Sequence, residues 1–416
     1  MEKIKNVVNA VLAGIKPSMQ EEKNKRKKIK VFLKRLNKNL DGETAILGGS
    51  AKKGTWLMDS YDADIFVKFN YKKFREKSSK ISDILGKSLR KEFKGMKRVH
   101  GSRDYFQIIE NGFLFEIIPI LNIKISDQAV NITDISPLHA KWVEKKMKSP
   151  DDIRLAKAFA KAQDVYGAES FIQGFSGYCI EILTIHYGSF IGFIKAVSKW
   201  KKRTTIDIMK YHKNIMIEVN KSKLISPLVL IDPVQKGRNV AAALSEKNYY
   251  KMINAAKSFL KNPSQDFFVR KSLSSEDVKQ KYINKNTTIL KINPKSGKED
   301  VVGSRILKCF EYTSRKLVEK DFTLTDSGWY WDRKKESFMW FITKEKELKK
   351  EMIQKGPPTK LKDFVKEFRK KHKNNFIRKK IVFARIKRKY TTPKSVIKNV
   401  IKLKYITEKV KGIKIE

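Results

Sequence analysis

The sequence predicts an α+β protein of several domains: a mixed α/β domain at the N-terminus, a helical domain in the middle and an α+β region at the C-terminus. Its 416 residues, 41% of them hydrophobic, suffice for two to four domains with apolar cores. Apolar runs on both sides of Asn111-Gly112 predict a β-hairpin. The stretch from Asp151 to Phe259 is mostly helical in pattern, and short strand-like runs return past Pro263.

The N-terminal domain is predicted to begin with two helices within residues 1–40, separated near Pro17. Ser136-Pro137 is typical of a helix start, so another helix is expected from Ser136 to Met147. Between them we predict strands at 45–47 and 62–69, a basic helix at 71–93, and hairpin strands at 104–110 and 113–120.

The remaining elements follow the same patterns. We predict central helices at 151–164, 176–200 and 245–261, later strands at 287–292, 321–325, 337–343 and 381–386, and later helices at 304–318, 361–372 and 394–402. Gly356-Pro357-Pro358 is interpreted as a break. The run Trp329-Tyr330-Trp331 with Trp340 indicates a hairpin core, which we favour, or a platform for stacking bases. The predicted domains are 1–150, a helical 151–262, an α+β body at 263–345 with 380–416, and a basic tail segment at 346–379.

A large positive charge narrows the class of partner. The chain carries 92 Lys+Arg against 44 Asp+Glu, a net charge of +48. Lysines that only solvate helix faces are usually matched by glutamates, so this excess favours nucleic acid as partner over an acidic membrane. The longest apolar region, from Tyr178 to Ile194, is interrupted by Glu181, His186 and Gly188, which argues against a membrane span.

The cysteine content points to a reducing compartment. Cys179 and Cys309 are the two cysteines of the sequence, and both lie in apolar settings. A disulfide framework is therefore not expected, and a cytoplasmic location fits. Together with five scattered histidines, they do not build the usual structural zinc site.

Two aspartates in the segment 47–69 suggest a metal site. Alternate residues of a strand share one face, so Asp62 and Asp64 point the same way, about 7 Å apart. Carboxylates this close disfavour each other's ionisation, and divalent cations such as Mg²⁺ remove that conflict. The alternative is a solvated edge strand that happens to carry two acids.

The residues before this strand suggest a phosphate site. Gly48 and Gly49 permit close backbone approach, and Ser50 can cap the following helix, whose N-terminus attracts anions. Lys52 and Lys53 add positive charge beside it. The combination is what a nucleoside triphosphate with bound magnesium requires.

Glu116 is the candidate for a third carboxylate. It lies in the otherwise apolar strand 113–119, where a lone acid is costly unless it is paired or bound to metal. The alternative is an edge-strand acid exposed to water. With three carboxylates, one metal would lower the pKa of a 3′-hydroxyl and the other would hold the triphosphate and leaving group, which is in-line nucleotidyl transfer.

Gly49-Ser50, Asp62-x-Asp64 and a later strand carboxylate resemble the polymerase-β-type nucleotidyltransferases. Further segments, taken together, resemble the archaeal, class I CCA-adding enzymes of tRNA over nearly the whole chain. These are GSAKKGTW (49–56), SPLHAKW (136–142), RLAKAFAKAQDVYGAE (154–169), GFSGYCIEIL (174–183), YGSF (187–190), DPVQKGRNVAAALS (232–245) and KGPP (355–358).

The resemblance implies a polymerase-β-type catalytic domain, a helical central domain and a C-terminal α+β, ferredoxin- or RRM-like, RNA-binding region. It implies template-independent addition of C, C and A to the tRNA 3′ end from CTP and ATP at one active site, and homodimers occur in the family. By motif position, two Mg²⁺ ions would bind Asp62, Asp64 and Glu116. The triphosphate would be bound by Gly49, Ser50 and Lys53, and the nucleotide pocket would be completed by His139, Lys157 and Tyr166. Arg238 would contact the incoming base together with the tRNA backbone.

The chain departs from the family at two positions. The family commonly has arginine where Lys53 stands and aspartate where Glu116 stands, so the phosphate grip loses a bidentate fork and the metal ligand is longer. Two other functions remain open at this point: a poly(A)-type or other RNA terminal nucleotidyltransferase, and an inactive basic RNA-binding protein. The three intact carboxylates argue against the second. The C-terminal lysines are expected to follow the tRNA backbone and to recognise shape.

Overall fold

The computed structural model describes residues 2–334 and 336–416. The chain forms two compact units, Met1–Lys271 and Ser272–Glu416, and each has apolar core clusters of its own. Among the described residues, no single helix is long and apolar enough to cross a membrane, although one bent pair of helices reaches the required length and composition. The apolar side chains of that pair are buried in the core of the first unit.

A five-stranded sheet organises the N-terminal half of the first unit. Its spatial order is β1-β2-β5-β4-β3; β2 and β5 pair in parallel, whereas the other neighbours pair antiparallel. Asn111 and Gly112 have φ angles of 51° and 73°, as a hairpin turn requires. The predicted strands at 45–47 and 62–69 and the predicted hairpin are therefore confirmed. The strands are β1 (Thr44–Leu47), β2 (Asp62–Asn70), β3 (Lys97–Val99), β4 (Tyr105–Glu110) and β5 (Phe113–Asn122).

Helices flank this sheet. The two N-terminal helices separate near Pro17 as predicted, and Ser18 begins the second through a capping box with Glu21. The single helix predicted at 71–93 is wrong in detail, because Lys77 leaves the helical conformation and a 3-10 helix interrupts the segment. The helices are α1 (Glu2–Ile15), α2 (Met19–Lys38), α3 (Gly49–Lys53), α4 (Tyr71–Phe74), α5 (Ile81–Glu92) and α6 (Ser136–Lys146), with the 3-10 helix at Arg75–Lys80.

The second half of the first unit is mainly helical. The predicted helices at 151–164 and 245–261 are confirmed, but the predicted helix at 176–200 is two helices that meet at 96°. Gly188 has φ +82°, which ends the first of them, and the Ser189 side chain caps the next. The elements are α7 (Pro150–Ala162), α8 (Gly177–His186), α9 (Phe190–Val197), β6 (Thr204–Ile206), α10 (Ile215–Glu218), β7 (Leu228–Leu230) and α11 (Glu246–Lys261).

The second unit contains a four-stranded sheet, whose strands in spatial order are β14 (Val410–Ile415), β8 (Asn286–Pro294), β10 (Ser337–Thr343) and β9 (Leu324–Trp331). The strand predicted at 321–325 is wrong in its limits: it starts at Leu324 and continues to Trp331, since its aromatic residues pair with β10. Trp329 and Trp331 pack on the core, so the hairpin-core interpretation is confirmed. The elements are α12 (Ser275–Lys281), β8 (Asn286–Pro294), α13 (Glu299–Val318), β9 (Leu324–Trp331) and β10 (Ser337–Thr343).

A three-stranded sheet of order β11-β13-β12 precedes the C-terminal strand. The break predicted at Gly356-Pro357-Pro358 is wrong, because these residues form the end of β11. This strand lies at the sheet edge, where proline is tolerated, and its register shifts between Lys355 and Pro358. The elements are β11 (Glu351–Pro358), α14 (Lys362–Lys371), β12 (Asn375–Arg378), β13 (Ile381–Lys387), α15 (Pro393–Val400), α16 (Lys404–Thr407) and β14 (Val410–Ile415), the last not predicted.

Candidate active site

The three predicted carboxylates lie on neighbouring strands. In the parallel pairing of β2 with β5, Asp64 stands opposite Glu116, while Asp62 stands opposite Leu114. Asp62 and Asp64 share a face because alternate residues of a strand do. Both strands are internal to the sheet, so the edge-strand alternative is excluded for Glu116 and for Asp64. Asp62 begins β2 beyond the residues paired with β1 and is exposed to solvent. The fold thus places Asp64 and Glu116 side by side in the middle of the sheet.

Asp64 is the electrostatic centre of this group. Its pKa is raised from 3.8 to about 7, first by desolvation and then by the nearby charges of Glu116 and Asp62. Lys53 and Lys157 act in the opposite direction but do not cancel the effect. Glu116 accepts a hydrogen bond from Gln107 Nε2 of β4 at Oε1, 2.7 Å away, which orients its carboxylate. The site therefore carries negative charge that the chain does not fully compensate.

A divalent cation fits this donor set. Within residues 2–334 and 336–416, no group of three or more His, Cys, Asp or Glu side chains is already arranged around a metal position. The oxygen-only chemistry and the raised pKa of Asp64 nevertheless match what a hard cation such as Mg²⁺ would stabilise. A cation there would favour the ionised form of each carboxylate and relieve their repulsion.

The glycine turn is built against Asp64. Gly49 has φ +57°, and a Cβ at this position would overlap the Asp64 carboxylate. The Gly48 N–H donates to the backbone oxygen of Asp64 at 2.8 Å, so the turn is tied to β2. The prediction that Ser50 caps this helix is wrong, because Gly48 is the N-cap and no side chain caps it. Ser50 is the second residue of α3, and its backbone oxygen accepts from Thr55 N–H at 3.0 Å. The turn thus places Gly49 directly against the Asp64 carboxylate, with Ser50 next to it in the chain.

Lys53 and Lys157 meet at a buried acid that the sequence reasoning did not include. Glu181 of α8 accepts from Lys53 Nζ at 2.6 Å and from Lys157 Nζ at 2.8 Å. Burial alone would raise the pKa of Glu181, but the two lysines outweigh it and hold that pKa below its ordinary value. A signal was present in the sequence, since Glu181 is the one acid within the apolar helix 177–186.

Tyr166 lies next to this group. It forms an isolated bridge with Phe175, and a Cβ on Gly177 would lie 2.8 Å from the Tyr166 hydroxyl. Its pKa is raised by burial and then by Glu181, with smaller effects from Glu169 and the strand aspartates. The hydroxyl is therefore a neutral donor close to the acidic side of the site.

His139 and Arg238 meet at a second buried acid, Asp232. The Asp232 Oδ2 atom lies 3.0 Å from His139 Nε2 and 2.9 Å from Arg238 Nη1, and Oδ1 accepts from the Tyr178 hydroxyl at 3.1 Å. The His139 and Tyr178 rings stack with centroids 4.1 Å apart. Burial would raise the pKa of Asp232, but His139, Val234 and Arg238 outweigh it and lower that pKa. Asp232 and Tyr178 were also missed by the sequence reasoning.

The predicted site residues therefore form two groups in one unit. One group surrounds Asp64 and Glu181, and the other surrounds Asp232. Tyr178 connects them electrostatically, because its pKa is raised by burial, by Asp232 and also by Glu181. The first group contains Gly49, Ser50, Lys53, Asp62, Asp64, Glu116, Lys157 and Tyr166, and the second contains His139 and Arg238.

Known families match three parts of the chain. The nucleotidyltransferase domain family matches residues 26–112, the second domain of tRNA nucleotidyltransferase matches 151–269, and the C-terminal domain of CCA-adding enzyme matches 285–411. A CCA-adding enzyme of Saccharolobus shibatae is 34% identical over 76% of this chain and 73% of its own length. The chain belongs to the CCA-adding enzyme family. The predicted family and fold class are thereby confirmed.

Other relatives agree with this membership. The CCA-adding enzyme of Methanocaldococcus jannaschii is 29% identical over 96% of this chain and 91% of its own length. That of Nanoarchaeum equitans is 41% identical, over 59% of this chain and 62% of its own length. A solved cytoplasmic RNA terminal U-transferase superposes with a TM-score of 0.51 at 14% identity, covering 66% of this chain and 100% of that one, which shows a shared fold. Nucleotidyltransferases of this superfamily generally use a divalent metal.

Proposed function

We propose that this CCA-adding enzyme completes tRNA 3′ ends from CTP and ATP without a template, by in-line transfer at two Mg²⁺ ions held by Asp62, Asp64 and Glu116. The observation that carries the proposal is the pairing of Asp64 with Glu116 on adjacent internal strands. The pKa of Asp64, near 7, supports a need for external cations. When bound, the ions would lower the pKa of the tRNA 3′-hydroxyl and neutralise the triphosphate and leaving group.

The residues around the glycine turn bind the triphosphate. Gly49 lets the backbone approach closely, and Ser50, the next residue of α3, would supply a hydroxyl to the triphosphate. Lys53 and Lys157, whose charges lower the pKa of Asp64, would present two ammonium groups to the phosphates of a metal-bound nucleotide. Tyr166 completes this side of the pocket as a neutral hydrogen-bond donor. Catalysis then comes mainly from positioning and charge neutralisation.

The group around Asp232 binds the incoming nucleotide at its other end. Asp232 fixes the Arg238 guanidinium through one nitrogen, which leaves further N–H groups for the base and the tRNA backbone. His139 is oriented by the same carboxylate and by stacking on Tyr178. A planar, permanently charged donor suits both cytosine and adenine in turn, since it can meet acceptors on either base.

The net charge of +48 supports tRNA as the polyanionic partner. We assign catalysis to residues 1–150, completion of the pocket to 151–262, and contacts with the tRNA backbone to the C-terminal region, with 346–379 as a basic tail. We also propose that the protein forms a homodimer and is located in the cytoplasm. The buried free thiols Cys179 and Cys309 support a reducing compartment.

Incubation of the enzyme with Mg²⁺ and a tRNA lacking its 3′ end tests the function. With CTP and ATP together we expect addition of C, C and A and then termination; with CTP alone, addition of C only. Long homopolymer tails from ATP alone would instead support a poly(A)-type enzyme. No extension under any condition would support an inactive RNA-binding protein. The affinity for tRNA should fall steeply with salt, and a flat salt response would contradict backbone contacts.

A further inference from the structure

We propose that Glu181 is a positioning residue that holds Lys53 and Lys157 as a fixed pair of triphosphate donors; this rests on the function proposed above. Its side chain is 1% exposed and each carboxylate oxygen has its own lysine. Oε2 accepts from Lys53 at 2.6 Å, and Oε1 accepts from Lys157 at 2.8 Å. The two ammonium groups are therefore held at a set separation by one rigid group.

A threonine completes the arrangement. The Thr55 hydroxyl donates to Glu181 Oε1 at 3.2 Å and accepts from Lys157 Nζ at 3.0 Å. Lys53 belongs to α3, Lys157 to α7 and Glu181 to α8. The carboxylate therefore joins the helix after the glycine turn to two helices of the central region.

The charge balance shows that this contact does more than stabilise the fold. A buried ion pair adds little net stability, because desolvation offsets the attraction between its charges. Here two cations, with side chains 11% and 6% exposed, share one anion, so Glu181 by itself compensates only one of the two positive charges. Both Lys53 and Lys157 also act on the Asp64 carboxyl. The charge that Glu181 does not compensate therefore acts on the acidic side of the site, where the proposed metal-bound polyphosphate would lie.

The arrangement also explains why lysine suffices at position 53. An arginine binds phosphate with a pre-organised planar fork, whereas a lysine has one ammonium group on a flexible stem. Glu181 removes that flexibility by fixing Lys53 beside a second ammonium group. Two ammonium groups at fixed positions would then bind the triphosphate in place of one arginine guanidinium group.

Glu181→Gln tests this role, with Glu144→Gln as the matched control. Glu144 pairs with Lys52, the neighbour of Lys53, at 3.6 Å in an exposed position. We expect Glu181→Gln to raise the KM for CTP and for ATP equally, by about tenfold or more, and to weaken inhibition by inorganic pyrophosphate to the same extent. The reason is that glutamine has no negative charge and keeps one acceptor oxygen, so it can hold at most one of the two lysines. The Kd for tRNA should not change, and Glu144→Gln should behave as wild type.

A lowered midpoint of thermal unfolding with both KM values unchanged would overturn the proposal, as would a rise for only one nucleotide. Glu181→Asp keeps the charge but is too short to reach both lysines, so it should raise both KM values even if the Gln variant does not fold.

In a Lys53→Met background, Glu181→Gln should raise the two KM values by a smaller factor than it does in the wild type. Normal CCA addition with an unchanged KM would overturn this inference alone, whereas failure of the wild type to extend tRNA would overturn the proposed function.

Discussion

Asp64 and Glu181 are two carboxylates of one unit that the fold treats in opposite ways. Desolvation raises the pKa of both, and Lys53 and Lys157 lower the pKa of both. At Glu181 the lysines are in direct contact and prevail, so its pKa is lowered. At Asp64 the lysines are outweighed by Glu116 and Asp62, so its pKa is raised to about 7.

The opposite shifts in pKa distinguish two kinds of acid in this unit. Glu181 is satisfied by cations that the chain supplies, and it therefore orders the residues around it. Asp64 has Glu116 and Asp62 as neighbours, so its charge is disfavoured unless a proton or, as we propose, an external cation neutralises it. Asp64 is half-buried and Glu181 is buried, yet it is the more buried acid whose pKa is lowered, so the identity of the partners decides the direction.

The largest effect is expected from Asp64→Asn. The substitution keeps the shape but removes the charge that attracts a cation, so kcat should fall by about a thousandfold or more. Single-turnover rates with CTP, together with the Kd for tRNA, would measure this, and the Kd should stay near the wild-type value. Asp83→Asn is the control, because Asp83 is an exposed acid of the same unit. A normal rate for Asp64→Asn would show that Asp64 needs no cation, and the comparison with Glu181 would fail.

A smaller loss is expected from Gly49→Ala. Its new Cβ would overlap the Asp64 carboxylate and displace it, and a shift of about 1 Å costs about a hundredfold in rate. Gly42→Ala is the matched control, since Gly42 also has a positive φ, +84°, but open space around its Cβ position. Both variants should lose similar stability from backbone strain, and only Gly49→Ala should lose activity. Equal activity losses would show that strain, and not displacement of Asp64, is responsible.

The smallest expected effect is a difference between the Asp64 and Glu181 variants in how their free energy of unfolding depends on pH in the absence of metal. The folded pKa of Asp64, about 7, exceeds its ordinary 3.8, so its contribution to stability falls as pH rises through that window. In EDTA, Asp64→Asn should therefore gain about 2 kcal/mol in free energy of unfolding, relative to wild type, between about pH 5 and pH 8.

The contribution of Glu181 to stability depends on pH in the opposite direction. Its folded pKa lies below the ordinary 4.5, so the stability it contributes is present above that value and is lost only as pH falls further. The difference in free energy of unfolding between wild type and Glu181→Gln should then stay constant from about pH 5 to pH 8. Urea unfolding of both variants at several pH values would measure this. Parallel pH profiles for the two variants would contradict the comparison.

Much of the site could be predicted from short-range pattern. Asp62 and Asp64 follow from strand alternation, and Asn111-Gly112 marks the hairpin that carries Glu116. The parallel pairing of β2 with β5, which is not local, then places Glu116 beside Asp64. The family, the fold class and the addition of CCA to tRNA, all predicted from the sequence, are confirmed. The roles of the individual site residues stay predictions.

The misses have local physical causes. The helix predicted at 176–200 divides because Gly188 and Ser189 end one helix and begin another within an unbroken apolar pattern. The strand β11 includes Gly356-Pro357-Pro358 because an edge position needs no N–H on its outer side. In the first case an apolar pattern continues across a helix break, and in the second case residues that usually break a strand are tolerated at the edge of a sheet.

The sequence by itself determined the carboxylates, the glycine turn and the excess of positive charge, because each depends on residue types at short spacing. Only the tertiary structure decided which charges meet. Lys53 and Glu181 are 128 residues apart, and His139 and Asp232 are 93 apart. A pKa depends on what surrounds a group in space, so no local pattern could show that Glu181 would be paired and Asp64 left for a cation.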